Sequence, residues 1–287
     1  MKKDYSIIKK DARAANEVDQ VQTFWSGVWE HRPLTDHAQQ DVQEHELHPL
    51  VDSYLSTLPE GSRILDAGCG MGEWTIYYTH QGKHITGMDL SADTIQRLLE
   101  KYPECDFVTG DIRQTGFAPD TFDAIISWGT FEHFEIGLAP CFQEAWRILK
   151  PGGHLIITVP FHNFRHWLRD LFLAPEKNME LVHDPKDVTH VFYQWRLTRS
   201  ELAIECLLHG FEVKKIIPCS RKSGMKRFLQ HEFGVRPGTP LYRPLFKLFD
   251  WLLPRGSVEH MILGISTKAD KQRGYESLTT VKPINSN

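Results

Sequence analysis

The chain has few cysteines, and their arrangement excludes the common cysteine-based sites. Five cysteines are scattered over 287 residues and none forms a C-x-x-C pair, so neither a zinc site nor a disulfide framework is predicted. No segment approaches the roughly 18 uninterrupted apolar residues of a membrane-spanning helix. The N-terminus also lacks the apolar core of a secretory signal. We therefore expect reduced thiols and a cytoplasmic location.

A strong charge of either sign is also missing. The net charge is −4, and hydrophobic and charged residues make up 41% and 24% of the chain, which is ordinary for a globular protein. Such a charge creates no global field that would attract nucleic acid. The length is sufficient for one α/β domain with additions, or for two small domains.

Strands and helices alternate along the middle of the chain. Short apolar segments bounded by turn residues predict seven strands, at 63–66, 84–89, 106–110, 122–127, 154–159, 211–218 and 258–267. Helical patterns lie between most of them, with Ser91 as an expected N-cap and Thr198–Glu201 as an expected capping box. This alternation predicts an α/β fold with a parallel sheet covered on both faces.

The same pattern divides the chain into segments. The first ten residues are expected to be loose, and helices are predicted from Val18 and from about Gln39 to Leu58. The predicted organisation is a helical extension (1–60), a core (61–160), an insertion rich in aromatic and histidine residues that includes His183 (161–197), a segment that completes the core (198–267) with its own insertion (219–257), and a disordered tail (268–287).

A glycine-rich turn follows the first predicted strand of the core. Asp66 precedes Gly68, Gly70 and Gly72, and a predicted helix begins at Glu73. Glycines let the backbone approach a ligand closely, and the helix N-terminus presents unpaired N–H groups. The spacing differs from the G-x-G-x-x-G of dinucleotide-binding proteins, and a carboxylate at this position favours a cationic or amine-bearing ligand over a diphosphate.

Two further acids end the next two strands. Asp89 stands 21 positions after Gly68, where an acidic residue at the end of the second strand accepts hydrogen bonds from ribose hydroxyls. Asp111 follows the third strand. Ligands of open α/β sheets bind outside the carboxyl ends of the strands, so the three acids predict one binding site.

These motifs, together with Glu132-His133 and the run Arg147-Ile148-Leu149-Lys150-Pro151-Gly152-Gly153, resemble those of the class I S-adenosylmethionine (SAM) methyltransferases. The resemblance covers residues 62–160, with weaker support to residue 218. It implies a Rossmann-like, doubly wound, mostly parallel seven-stranded sheet with an antiparallel C-terminal strand, N-terminal helices and inserted lid segments.

The resemblance also implies a set of cofactor contacts. The glycine loop would hold the amino acid end and ribose of SAM, Asp89 the ribose hydroxyls, Leu90 the adenine face, and Asp111 the adenine amino group. The complete set of expected contacts is Asp66, Gly68, Cys69, Gly70, Asp89, Leu90, Asp111, Ile112, Ser127 and Trp128.

Three residues are candidates for the base that would remove an acceptor proton: His133, His162 and Tyr193. The alternative for His133 is a structural role in shaping the cofactor pocket. Some related O-methyltransferases of ubiquinone synthesis carry E-x-x-E-H here and bind a divalent metal. Gly129 occupies the place of the first glutamate, so no metal site is predicted.

The function predicted from these features is methyl transfer from SAM to a small molecule, most simply to a hydroxyl oxygen. The insertion at 161–197 would form a lid over the acceptor. Two alternatives remain open: methylation of nucleic acid such as tRNA, although the [N/D/S]-P-P-[Y/F] signature is absent after the fourth strand, and a non-catalytic SAM-binding protein. A nicotinamide dehydrogenase is disfavoured by the glycine spacing.

The second insertion combines basic residues with an apolar helix. Arg221-Lys222 and Lys226-Arg227 precede the segment 245–254, a pattern that leaves open a weak contact with a membrane surface. The sequence does not distinguish a monomer from a homodimer.

Overall fold

The computed structural model describes residues 1–9, 17–30, 32–34, 36–172 and 188–269. Within these ranges the elements follow in the order β1 (Lys2–Lys9), α1 (Glu17–Glu30), α2 (Ala38–Gln43), α3 (His48–Leu55), β2 (Arg63–Ala67), α4 (Glu73–His80), β3 (His84–Asp89), α5 (Ala92–Lys101), β4 (Asp106–Thr109), β5 (Phe122–Trp128), a 3-10 turn (Phe131–His133), α6 (Ala139–Ile148), β6 (Leu149–Pro160), α7 (Phe164–Phe172), β7 (Val188–Arg196), α8 (Arg199–Leu208), β8 (Phe211–Cys219), α9 (Arg221–Phe233), α10 (Tyr242–Leu252) and β9 (Met261–Lys268).

Seven of the strands form one sheet in the order β4-β3-β2-β5-β6-β9-β8. Strands β2 to β6 pair in parallel, whereas β9 lies antiparallel between β6 and β8. The Rossmann-like fold with an antiparallel C-terminal strand is thereby confirmed. Two clusters of buried side chains cover the two faces of the sheet, as expected when parallel strands are covered by helices.

Helix capping follows the predicted signals. The Ser91 hydroxyl accepts from the Thr94 N–H at the start of α5. Thr198 and Glu201 form the expected capping box at the start of α8. Both signals were local, because a cap depends on residues only three positions apart.

Two expectations about the N-terminal segment are wrong. Lys2–Lys9 is not loose, because it forms β1 and pairs antiparallel with β7 over its full length. The helix expected from Gln39 to Leu58 is two helices, α2 and α3, and Pro49 lies in the first turn of α3. A proline lacks the N–H that a continuous helix requires, whereas the first turn tolerates it.

Part of the predicted lid and tail, including His183 and residues 270–287, lies outside the described residues. No described helix is both long enough and apolar enough to cross a bilayer.

Candidate active site

The glycine loop between β2 and α4 has the left-handed backbone that its sequence predicts. Gly68, Gly70 and Gly72 have φ values of +76°, +52° and +77°. The amides of Gly68 and Cys69 both donate to the Met88 carbonyl, at 2.7 and 2.9 Å. A Cβ at Gly68 would lie 2.7 Å from Thr130 Cγ2. Both the backbone conformation and the lack of space therefore require glycine at this position.

Asp89 is fixed by the backbone at the end of β3. Its Oδ2 accepts from the Gly70 N–H at 3.0 Å and its Oδ1 from the Ser91 N–H at 2.9 Å. Burial raises the pKa of this carboxyl, while the two N–H groups favour its ionised form. The side chain nevertheless lines the pocket described below, so lone pairs of the carboxylate remain available to a ligand.

Asp66 is buried beneath the glycine loop. Its Oδ2 accepts from the Thr75 hydroxyl at 2.9 Å, whereas its Oδ1 is buried and has no hydrogen-bond partner among the described residues. Burial, together with the nearby Glu73 and Asp89, raises the pKa of Asp66 to about 7. An unsatisfied buried carboxylate oxygen is costly, so a positively charged group placed beside it would be favourable.

Asp111 is held by a neighbouring arginine. The Arg113 side chain donates to both of its carboxylate oxygens, at 2.8 Å from Nη2 to Oδ2 and at 3.1 Å from Nε to Oδ1. The guanidinium lies 4.1 Å from the centre of the Phe134 ring. The Asp111 side chain does not line the pocket, whereas the Ile112 side chain does.

The pocket lies at the carboxyl ends of β2, β3 and β5. It encloses about 630 Å³ including its open mouth, within the size range of small-molecule sites. The lining residues that the sequence predicts are Gly68, Asp89, Leu90, Ile112, Trp128 and His133. Asp66, Cys69, Gly70 and Ser127 lie behind this surface, and the Ser127 hydroxyl donates to the Ala67 carbonyl at 2.6 Å.

One wall comes from α1, which sequence reasoning missed as part of the site. Val21, Trp25 and Trp29 line the pocket, and the rings of Trp25 and Trp29 stack with centres 5.3 Å apart. Arg97 on α5 holds the end of α1, since its guanidinium donates to the carbonyls of Trp29 and Arg32 at 3.0 and 2.9 Å. The signal was present as the spacing of Val21, Trp25 and Trp29, four residues apart.

His133 has a defined tautomer. Its Nδ1 lies 2.7 Å from the Tyr193 carbonyl oxygen, and because a carbonyl only accepts, Nδ1 carries the proton of the neutral ring and Nε2 keeps its lone pair. The Gly129 backbone is a second hydrogen-bond partner of the ring. Burial lowers the pKa of His133 to about 4 and raises that of Glu132 to about 8. Both groups are therefore neutral at pH 7, with Nε2 of His133 3.8 Å from Oε1 of Glu132.

A bulge in β7 supplies this carbonyl. Asp4 pairs with Gln194 and the next residue, Tyr5, pairs with Phe192. Tyr193 is the extra residue, which is left out of the ladder. Its carbonyl can therefore accept from His133, and its ring packs edge-on against that histidine with centres 5.3 Å apart.

His162 is engaged elsewhere. Its Nε2 lies 2.9 Å from Asp170 Oδ2, and Asp170 also pairs with Lys2 at 2.6 Å. Neither His162 nor the Tyr193 side chain lines the pocket. Of the three candidate bases, the structure brings only His133 to the pocket surface.

Among the described residues, no three His, Cys, Asp or Glu side chains are grouped so that they could hold a metal ion. Gly129 has a φ of +69°, and a Cβ there would lie 3.2 Å from Glu132 Oε1. A glutamate in place of Gly129 would thus be strained in this loop.

Comparisons with known proteins agree with this geometry. Residues 64–153 match the family described as "Methyltransferase domain". A ubiquinone biosynthesis O-methyltransferase of Xylella fastidiosa is 32% identical over 169 residues, which is 55% of this chain and 64% of that protein. A fatty-acid O-methyltransferase of Mycolicibacterium smegmatis is 33% identical over 125 residues, covering 40% of this chain and 44% of the relative. This chain thus spans less than two thirds of these relatives.

The fold is shared with solved structures at lower identity. The crystal structure of 1,6-didemethyltoxoflavin-N1-methyltransferase from Burkholderia thailandensis aligns with a TM-score of 0.52 at 16% identity, over 93% of this chain and 96% of the other. The glycine loop, the strand order and the matched region agree: residues 64–153 form a methyltransferase domain, and the chain has the fold of these solved methyltransferases.

Proposed function

We propose that this protein transfers a methyl group from SAM to an oxygen atom of a small-molecule acceptor. The observation that carries the proposal is a single pocket that joins the glycine loop and Asp89 to a neutral histidine, His133, whose Nδ1 is held by the Tyr193 carbonyl. The O-methyltransferase relatives support oxygen as the methylated atom.

The residues present fit the cofactor. Asp89 would offer its carboxylate to the ribose hydroxyls, and Leu90 and Ile112 would provide apolar contacts for the adenine. Asp66 does not line the pocket, but the negative charge of its ionised form beneath the glycine loop, with Oδ1 unpartnered, would favour the cationic amino group. Residues 61–160 would thus form the cofactor-binding core, and residues 161–197 would contribute to a cover over the acceptor. When bound, SAM supplies an electrophilic methyl group on a cationic sulfur, so that a bond from acceptor oxygen to methyl carbon forms as the sulfur–carbon bond breaks.

The chain contributes alignment and a proton acceptor. Holding two reactants in attack geometry can contribute about 7–11 kcal/mol, and the stacked Trp25 and Trp29 exclude water from one side of the pocket. The acceptor proton passes to Nε2 of His133. The positive charge that this creates lowers the pKa of Glu132, whose carboxyl lies beside the ring. Tyr193 positions His133 through its carbonyl, and His162 is retained as an alternative base to be tested by substitution.

The activity is tested with SAM labelled in its methyl group and a panel of phenolic and long-chain carboxylic acceptors. We expect a labelled product with at least one class, and, with a phenolic acceptor, we expect His133→Gln to lower kcat by about 10²–10⁴-fold without changing the affinity for SAM. His162→Gln tests the alternative base and should leave kcat unchanged if His133 takes the proton. The absence of product across the panel from protein that binds SAM would refute methyl transfer, and a fully active His133→Gln would refute this base.

Cofactor binding is tested at Asp89. Asp89→Ala is expected to weaken SAM binding by about 1.5–3 kcal/mol, as for hydrogen bonds to a charged group, measured by titration calorimetry. Asp93→Ala, an exposed acid in the first turn of α5, is the control and should bind as the wild type does. Unchanged affinity in Asp89→Ala would remove the ribose assignment.

A further inference from the structure

Helix α10 exposes an apolar face to solvent. Its inner side contributes Tyr242, Leu245, Phe246 and Phe249 to a small cluster with α9. On the other side, Trp251 is 81% exposed and Leu241 63% exposed, and Leu248 and Leu252 are about half exposed. These four residues, called here the α10 face, leave far more apolar surface in water than a scattered single side chain does.

The α10 face is a continuous stripe. At about 100° per residue, its four side chains fall within an arc of about 100° on one side of the helix. The exposed Lys247 lies about 40° from one edge of this arc, and the exposed Arg243 lies about 80° from the same edge. A helix with an apolar stripe containing tryptophan and leucine, bordered by basic side chains, has the composition of helices that lie in a membrane interface.

The surrounding segment is basic although the chain is acidic overall. Residues 221–257 contain eight Lys and Arg but only two Asp and Glu, whereas the whole chain has a net charge of −4. Arg221 is neutralised by Asp250 and Glu259. The side chains of Lys222, Lys226 and Arg255 are exposed, so positive charge is concentrated in the segment that carries the α10 face.

A second apolar face adjoins the segment. On α7, Phe164, Trp167 and Leu171 are each more than half exposed. Arg165 of α7 and Glu232 of α9 form an ion pair at 2.7 Å. Because β6 and β8 run in the same direction, α7 and α9 both begin at the sheet edge where the pocket opens.

We propose that the α10 face, extended by the exposed side of α7, docks on an anionic lipid surface. Apolar side chains would enter the interface while Arg243, Lys247 and their neighbours contact lipid phosphates. A second copy of this chain is a poorer occupant, because a two-fold contact through the α10 face would bring the same basic residues together. This inference goes beyond the proposed methyl transfer and does not depend on it.

The test is co-sedimentation of the full chain with vesicles of phosphatidylcholine alone, or of phosphatidylcholine and phosphatidylglycerol in equal amounts. We expect binding to the anionic vesicles only, weakened when salt is raised from about 0.1 M to about 0.5 M. Trp251→Glu should lower the apparent affinity by about tenfold or more. Leu208→Glu is the matched control, because Leu208 is 71% exposed on α8, and it should bind as the wild type does.

The contribution of the basic residues to vesicle binding is tested separately. Lys247→Glu should weaken binding by more than about fivefold, since each basic residue near such a surface contributes about that factor, whereas Lys215→Glu on the edge strand β8 should not. SAM binding by calorimetry confirms that each variant is folded. The proposal is overturned if the wild type ignores anionic vesicles, if Trp251→Glu binds them normally, or if ultracentrifugation shows instead a dimer that Trp251→Glu dissociates.

Discussion

Glycine is required at position 68 for two separate reasons, its backbone conformation and the space around it. Its φ is +76°, and its missing Cβ leaves room for the Thr130 side chain. Gly82 has nearly the same φ, +75°, but no atom lies within 4 Å of its virtual Cβ. Substitutions at these two glycines therefore distinguish the cost of the left-handed backbone from the cost of a steric clash.

We expect Gly82→Ala to lower the free energy of unfolding by about 1–2 kcal/mol, the cost of the left-handed conformation. Gly68→Ala should lower it by about 1–3 kcal/mol more because of overpacking, and should also weaken SAM binding. Urea unfolding and calorimetry measure the two effects. Equal destabilisation by both substitutions would show that the Thr130 contact has no energetic weight.

Asp66 makes stability depend on pH. Its pKa is about 7 in the folded chain against a usual value of 3.8, so the unfolded chain releases this proton at lower pH than the folded one. The stabilisation linked to the protonated carboxyl is complete below about pH 4 and is lost as the pH rises through 7. The loss amounts to at most about 4 kcal/mol.

Asp66→Asn should remove this loss, so that the variant becomes more stable than the wild type at pH 8 but not at pH 4. Denaturant unfolding at the two pH values measures the effect. SAM binding near pH 6 should also release a proton from the wild type and not from the variant, seen in buffers of different ionisation enthalpy. A parallel pH dependence in both proteins would contradict the assignment.

At the scale of elements, α1 connects the N-terminal segment to the pocket. Its end is fixed by Arg97, which donates to two carbonyls, and its tryptophans line the site. Since hydrogen bonds from a charged group contribute about 1.5–3 kcal/mol, Arg97→Ala should weaken SAM binding by about tenfold and speed amide exchange in α1. Gln96→Ala on the same helix, α5, is the control. Unchanged binding by Arg97→Ala would mean that α1 does not cover the cofactor.

The ribbon of β1 and β7 positions the proposed base. Asp4 accepts from Gln194 Nε2 at 2.9 Å and pairs with Arg196 at 2.6 Å, and both partners follow the bulge residue Tyr193 on β7. Asp4→Ala should loosen the bulge and lower kcat severalfold with little change in the SAM dissociation constant, because the carbonyl that orients His133 would move. A loss of SAM affinity without a change in kcat would contradict this role.

For the molecule as a whole, local signals predicted the core well. The glycine loop, the acids at strand ends and the cap at Ser91 depend on residues close in sequence, so their positions follow from spacing. The fold around them did not require long-range information, since a parallel sheet with crossover helices has few topologies. The boundary between α2 and α3 also has a local signal, because Pro49 stands in the first turn of α3.

The chemical environment of the site was not predictable in this way. The sequence by itself determined the alternation of strands and helices, the glycine turn and the resemblance to methyltransferases, because these depend on periodicity and on backbone conformations that only certain residues adopt. Only the tertiary structure decided that α1 forms a pocket wall, that β1 pairs with β7, and that the bulge at Tyr193 orients His133. These contacts join residues that are from 60 to nearly 200 positions apart, and their free energy depends on packing and burial that no local pattern records.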